Sequence, residues 1–237
     1  MLKGVVFDLD GVIVDSHPLH KQAWRDFLAS VGKTVSEEDL AFILEGRTRR
    51  EILIHFLGRL TDSEIQQYGN KKDEFFRQAS ADIKPVSGSL DFIRSVKEAA
   101  LSMAVATSAS RQRAQWTLEQ LELAPLFGVV VSGDDVALGK PNPAIYRIAA
   151  QRLSLPPNCL LAVEDSVSGV RSAIAAGLRC IAIAAENDGE LMEAGADQVV
   201  PSLTNLSIQA VTGLFSSVPS AADHVRTQDI KSVPISQ

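Results

Sequence analysis

Cysteine is almost missing from this chain of 237 residues: there are two, Cys159 and Cys180. Both lie in apolar stretches, and they lack metal-site spacing. They read as buried thiols in a reducing compartment. Long apolar runs are also missing. None approaches the roughly 20 residues that span a bilayer, so no membrane partner is expected. Basic runs are short, limited to Arg47-Thr48-Arg49-Arg50 and Lys71-Lys72. With 23 Lys and Arg against 29 Asp and Glu, the net charge is −6. That balance has the wrong sign for nucleic acid or an anionic membrane surface. No signal peptide precedes the first charged motif, and no internal repeat is visible. A cytoplasmic protein acting as a monomer is the expectation. What the chain does have is 46% apolar residues, which excludes disorder. Its length suits one large domain or two modest ones.

The stretch that organises the rest is Val5-Val6-Phe7-Asp8-Leu9-Asp10-Gly11-Val12-Ile13-Val14-Asp15. An apolar run beginning with valines predicts a strand over 3–8. Residues i and i+2 of extended chain point to one side. Asp8 and Asp10 can therefore converge at a strand's carboxyl end, where open α/β sheets bind ligands. Gly11 permits a sharp turn there. Two close carboxylates repel unless a cation or a shared proton offsets the repulsion. That motivates Mg²⁺ or acid/base chemistry; the alternative is a strand that ends in an acidic turn.

The period then changes. Leu19, Ala23, Trp24, Phe27, Leu28 and Val31 recur at helical spacing, and Gly32 suits the helix end. Ser36 with Asp39 and Thr61 with Glu64 have capping-box spacing. Helices are predicted to start near 37 and 62, with another over 48–58. No strand pattern occurs between 16 and 84, so this is a helical insert. Turn residues over 82–88 end it. Helices and short apolar strands alternate from there to about 200. The prediction is an α/β fold: a doubly wound parallel sheet carrying an all-helical inserted domain. The core comprises 1–15 and 85–210, the insert 16–84, and a polar C-terminal tail 211–237.

Four polar clusters follow strands or precede helices: Asp8/Asp10/Asp15, Thr107-Ser108-Ala109-Ser110-Arg111, Gly139-Lys140-Pro141-Asn142-Pro143, and Glu164-Asp165-Ser166-Val167-Ser168-Gly169. A parallel sheet brings its strand carboxyl ends to one edge, so these clusters can meet. Singly, each has a plainer reading. Ser108 or Ser110 could cap a helix. Lys140 could be a solvated loop lysine, and Glu164-Asp165 an acid pair favoured by a helix dipole. Together they suit a metal-bound phosphate.

The order and spacing of the four clusters resemble the haloacid dehalogenase superfamily over about 1–200. The signature D-x-D-G-V-x-x-D stands here as Asp8 to Asp15. The chain is most similar to the beta-phosphoglucomutase-like proteins and sugar-phosphate phosphatases of that superfamily, whose cap domain the helical insert resembles. The resemblance implies Asp8 as a nucleophile that becomes an aspartyl-phosphate. It implies Asp10 as general acid/base, lending its backbone carbonyl to Mg²⁺. Ser108, Ala109 and Lys140 would hold phosphate oxygens. Asp165 would bind Mg²⁺, with Glu164 supporting it directly or through water. His20 and Trp24, four apart on one helix face, would line the mouth between cap and core, with His20 orienting Asp10. Gly46, Thr48 and Arg49 would form a cap loop reaching the substrate, with Arg49 the better phosphate grip. Arg50 and Lys72 read as surface residues. Two departures, Glu45 and Pro18, disfavour a mutase. The expected function is an Mg²⁺-dependent phosphatase of small sugar or polyol phosphates. The alternatives are a sugar phosphomutase and a non-catalytic phosphometabolite-binding protein.

Overall fold

Six parallel strands in the order β3-β2-β1-β4-β5-β6 form the single sheet among the described residues. The computed structural model of the protein describes residues 1–44, 46–80, 83–185 and 188–215. Strand β1 (Gly4–Phe7) is followed by four helices: α1 (His17–Ser30), α2 (Glu37–Leu44), α3 (Arg49–Leu57) and α4 (Asp62–Ala79). Then α5 (Ser89–Glu98), β2 (Ser102–Ala106), α6 (Arg111–Gln120), β3 (Val129–Val131) and α7 (Ala144–Leu153) follow. After them come β4 (Leu160–Glu164), α8 (Val167–Ala175), β5 (Arg179–Ile183), α9 (Asp188–Glu193), β6 (Gln198–Val200) and α10 (Ile208–Gly213). This is the doubly wound α/β arrangement that the alternating pattern predicts.

Strand β1 shows why both faces must be covered. Its four residues are buried. Val5 and Phe7 enter the core cluster on one face, with Phe92 and Phe127, while Val6 enters the other beside Ala104 and Tyr146. Phe7 meets Phe92 and Phe127 edge-to-face at 6.0 and 5.8 Å, a favoured aromatic geometry. β1 pairs with β2 on one side and β4 on the other. The chain order therefore reverses at β1/β4, and a doubly wound sheet opens its ligand crevice at that point.

Helix α5 packs into the main core through Phe92, Ile93 and Val96, while helices α1 to α4 have their own apolar cluster, including Trp24, Phe27, Leu28, Leu40, Ile43, Ile52, Leu53 and Ile65. Their starts follow local chemistry. Thr61 and Glu64 form a full capping box at α4, and Ser36 and Asp39 exchange the equivalent bonds at α2. Among the described residues no helix is long and apolar enough to cross a membrane.

Two expectations need correction. The core does not end at 210: that boundary falls inside α10, and Val211 and Phe215 are buried in the main cluster. Apolar side chains on a final helix turn outweighed the polar composition that follows. Cys180 is buried, but Cys159 is only half-buried. Glu45 and residues 216–237 lie outside the described residues.

Candidate active site

Asp8 extends β1 by one residue: its amide donates to the Val163 carbonyl of β4 at 2.9 Å. Its carboxylate is thereby fixed at the crevice. Gly11 turns the chain immediately afterwards at φ +76°, and a Cβ there would lie 1.8 Å from Asp165 Oδ2. Only glycine lets this turn pass over that carboxylate. Lys140 Nζ donates to Asp8 Oδ1 at 2.7 Å and to Glu164 Oε1 at 2.5 Å. Lys140 is 4% exposed, so this is a buried ionic contact. Glu164 Oε1 also accepts from Tyr146 at 2.6 Å, while its Oε2 accepts the Asp165 amide and the Ser166 hydroxyl. Both Glu164 oxygens are thus engaged, tying it to Lys140, Tyr146 and the turn that carries Asp165.

Asp8, Glu164 and Asp165 each offer an oxygen within 4.8 Å of the others. Burial raises the Asp8 carboxyl well above its usual range. Lys140 opposes the rise, and Glu164, Asp165 and Asp10 add to it. Asp165 is raised likewise by burial and Glu164. Lys140 is raised because Asp8 and Glu164 outweigh its burial. Three clustered carboxylates against one lysine is an acid excess that suits a hard divalent cation. His17 Nε2 lies 3.3 Å from Asp165 Oδ2.

Asp10 has the opposite environment. Its Oδ1 accepts from Ser16 at 2.5 Å, His20 Nε2 at 3.1 Å and Arg113 Nη1 at 2.9 Å. Its Oδ2 accepts from Arg113 Nη2 at 2.6 Å. Burial alone would raise this carboxyl, but Arg113 and His20 hold it well below the usual range. His20 thus stands against the carboxylate with which the sequence reading pairs it. Lys72 Nζ donates to His20 Nδ1 at 3.2 Å. The Asp10 carboxylate can only accept, so the His20 proton sits on Nε2 and points at Asp10, which leaves Nδ1 to accept from Lys72. Burial and Lys72 lower His20 to about 3, and burial lowers Lys72 to about 7.

Asp8, Asp10, His20, Trp24, Gly46, Arg49, Ser108, Ala109, Lys140 and Asp165 line one cavity of about 80 Å³, with Lys72, Asp73 and Arg113 among its other walls. Trp24 is also a buried member of the helical cluster, so it both packs and lines. Ser108 donates its hydroxyl to the Gly46 carbonyl, which ties the core to the helical insert. The Ala109 amide is taken by the Thr107 hydroxyl at 3.1 Å. Arg49 reaches Asp73 and Asp134, each at 3.3 Å.

The structure differs from the sequence reading at three expected residues. Thr48 is not a cavity wall. It caps α3, its hydroxyl bonding Glu51 and accepting the Glu51 amide; Thr48-x-x-Glu51 is itself a capping-box pattern. Lys72 is no surface lysine, being 3% exposed against His20. It falls on the buried face of α4 with Ile65, Gly69 and Phe76, a helical spacing present in the sequence. Asp15 is exposed and leaves the cluster. Two residues were missed. Arg113 lies 103 positions from Asp10, beyond any local signal. Asp73 accepts from Ser110 at 2.7 Å as well as from Arg49. Ser110 also caps α6, accepting the Arg113 amide.

A family profile described as haloacid dehalogenase-like hydrolase matches residues 5–183. The chain is 35% identical to the phosphorylated carbohydrates phosphatase of Thermotoga maritima, over 84% of this chain and 94% of that protein. It is 31% identical to hexitol phosphatase A of Escherichia coli, over 87% of this chain and 94% of that protein. Its structure resembles that of CbbY from Rhodobacter sphaeroides in complex with phosphate, at 29% identity and TM-score 0.78, covering 90% of this chain and all of that one.

Proposed function

This chain belongs to the haloacid dehalogenase-like hydrolases, and within them we propose an Mg²⁺-dependent phosphatase of small sugar or polyol phosphates that works through an aspartyl-phosphate. The observation that carries the reading is the contrast at Asp8: a buried carboxylate on the crevice edge, 2.7 Å from a buried lysine and beside a second raised carboxylate. The names of the relatives support a phosphorylated carbohydrate as substrate.

Asp8 and Asp165, with the backbone carbonyl of Asp10, would hold the metal. When bound, Mg²⁺ supplies charge neutralisation for phosphate oxygens. Lys140 steadies the Asp8 carboxylate and offsets charge on the incoming phosphate. Asp8 attacks phosphorus and forms the acyl phosphate as the bond to the leaving oxygen breaks. Asp10 delivers a proton to that oxygen, then takes one from the water that attacks the acyl phosphate. Phosphoryl transfer asks mainly for positioning and neutralised charge, and the crevice offers both.

A panel of sugar and polyol phosphates, read for free phosphate and for isomerised product on the same samples, tests the proposal. Phosphate release with little isomerisation is expected. Rapid glucose 6-phosphate formation from beta-glucose 1-phosphate with only trace phosphate would establish a mutase instead.

A further inference from the structure

Arg49 opens α3 in the helical insert and is held from two domains. Its Nη1 donates to Asp73 Oδ2 of α4 and its Nη2 to Asp134 Oδ1, each at 3.3 Å. Behind it lies Gly69, where a Cβ would stand 2.8 Å from the guanidinium carbon. Only 13% of the Arg49 side chain is exposed. Asp134 belongs to the core: it stands in the short turn Gly133–Asp135 after β3, 85 positions from Arg49. The reaction as written gives it no part.

Both acids lead back to one place. Asp73 Oδ2 also accepts the Ser110 hydroxyl at 2.7 Å, and Asp134 Oδ2 accepts the Arg111 amide at 2.9 Å. Ser110 and Arg111 are consecutive at the start of α6, directly after Ser108 and Ala109 in the cavity wall. The circuit therefore closes, running from the α6 start through Asp73, Arg49 and Asp134 to the α6 start again. The backbone seats the turn as well. The Gly133 amide donates to the Ala109 carbonyl at 2.7 Å, and a Cβ at Gly133 would stand 2.5 Å from the Ser108 carbonyl oxygen. A helix start leaves its first amides without intrahelical partners. One Asp134 oxygen fills that need at Arg111, and the other is left to face Arg49.

The two acids are not equivalent. Asp73 answers Ser110 and Arg49, and its Oδ1 also lies 3.8 Å from Lys72. Asp134 gives one whole oxygen to Arg49 and alone brings it a charge from the core. A long side chain that is fixed before its ligand arrives spares the entropy of ordering it on binding. We infer that Asp134 is a positioning residue: it presets Arg49 at the cavity and fixes the helical insert against the loop that carries Ser108 and Ser110. This deepens the proposed phosphatase reading and rests on Arg49, a wall of the cavity, touching the substrate. A contact made alike in ground state and transition state changes KM and spares kcat.

The test is a double-mutant cycle of Asp134→Asn and Arg49→Met, read as KM and kcat on the sugar or polyol phosphate with the highest kcat/KM. Asp134→Asn keeps an acceptor for the Arg111 amide and withdraws the charge from Arg49. It should raise KM about 3- to 10-fold, within the range of coupled charged neighbours, with little change in kcat. In the Arg49→Met background the same substitution should leave KM where it is. Asp134→Glu, which keeps the charge, should recover most of the loss. An unchanged KM in Asp134→Asn would overturn the inference, as would an equal rise in both backgrounds or a fall in kcat alone. So would an Arg49→Met chain with the wild-type KM. If Asp134→Asn fails to fold, Asp134→Ser, also a good partner for helix-start amides but uncharged, takes its place in the cycle. If no member of the panel releases phosphate, the phosphatase reading fails. The cycle is then read as the calorimetric Kd of the member that binds tightest, and it upholds or overturns the role of Asp134 by itself. Absence of binding by every member would overturn both.

Discussion

Asp8 and Asp10 stand two residues apart in one motif, yet the two sides of the cleft pull their protons in opposite directions. On the sheet side, Asp8 joins Glu164 and Asp165 around a single lysine. Burial and like charge raise Asp8 and Asp165. On the helical side, Asp10 sits among Arg113, His20 and Ser16, and its carboxyl is lowered. One half of the cleft has too many acids and suits a cation. The other is rich in cations, with Lys72 and Arg49 nearby, and suits an anion. Pairs of groups whose surroundings separate their proton affinities mark divided chemical roles. Here the acid side is built at strand ends, and the cationic side by helices of the insert, with His20, Lys72 and Arg49, together with α6 of the core, with Arg113.

The hardest way to break the contrast is to remove charge from its acid side. Asp8→Asn keeps the shape but loses the nucleophile, so phosphate release should fall to background while circular dichroism shows an intact fold. Retention of more than a small fraction of wild-type turnover would remove Asp8 from that role. On the other side, Asp10→Asn should slow alkyl phosphates by about 10²–10⁴-fold. It should slow p-nitrophenyl phosphate less, because nitrophenolate departs without a proton. Equal losses on both substrates would take Asp10 out of proton transfer.

How much of this was legible in the sequence follows the same boundary. Asp8, Lys140, Glu164 and Asp165 follow strands or open helices, and a parallel sheet collects such positions at one edge whatever their separation. Motif and spacing therefore reached them. The helical side was read less well. Thr48 offered a polar side chain in a cap loop, but backbone amides at a helix start compete for the same hydroxyl and won it. Lys72 looked solvated because lysine is seldom buried; its helical register with Ile65 and Phe76 was the overlooked clue. Arg113 and Asp73 act across the meeting of α6, α4 and the β1 turn, and no periodicity encodes such a contact.

A gentler probe uses pH. Asp8 and Asp165 are raised in the fold, so their contribution to stability is present below about pH 4, the unfolded carboxylate value. It is lost as pH rises through their folded values. Asp10 is lowered and works in the reverse sense, its contribution disappearing only below that range. His20 and Lys72 are lowered and gain stability over the same rise in pH, so the readout is the difference that Mg²⁺ makes: its stabilisation should grow as pH rises above about 4. At Mg²⁺ about 100-fold above its Kd the gain is about 2.7 kcal/mol, or about 5–10 °C for a chain of this size. Calorimetric scans with and without Mg²⁺ should show a larger gain at alkaline than at acidic pH. A gain independent of pH would mean that the acid cluster does not hold the metal.

The smallest expected effect sharpens the cationic side. A Cβ at Gly69 of α4 would come within 2.5 Å of the Arg49 side chain. Arg49 can move, and alanine is favoured over glycine in a helix by about 0.5–1 kcal/mol. Gly69→Ala should therefore leave the melting temperature equal or higher while raising KM a few-fold with little change in kcat. A lower melting temperature with unchanged KM would show that Arg49 only packs.

Chemical trapping on Asp8 itself is the most direct measurement. The enzyme is mixed with Mg²⁺ and a good substrate, quenched in acid during turnover, reduced with borohydride and mapped by peptide mass spectrometry. An acyl phosphate at Asp8 is reduced to an alcohol, so the mass change should fall on the peptide containing Asp8. It should be absent from Asp8→Asn and increased in Asp10→Asn, where attack by water is slowed. Steady phosphate release with no reducible acyl phosphate, or with the label on another carboxylate, would show that Asp8 is not the group that takes the phosphate.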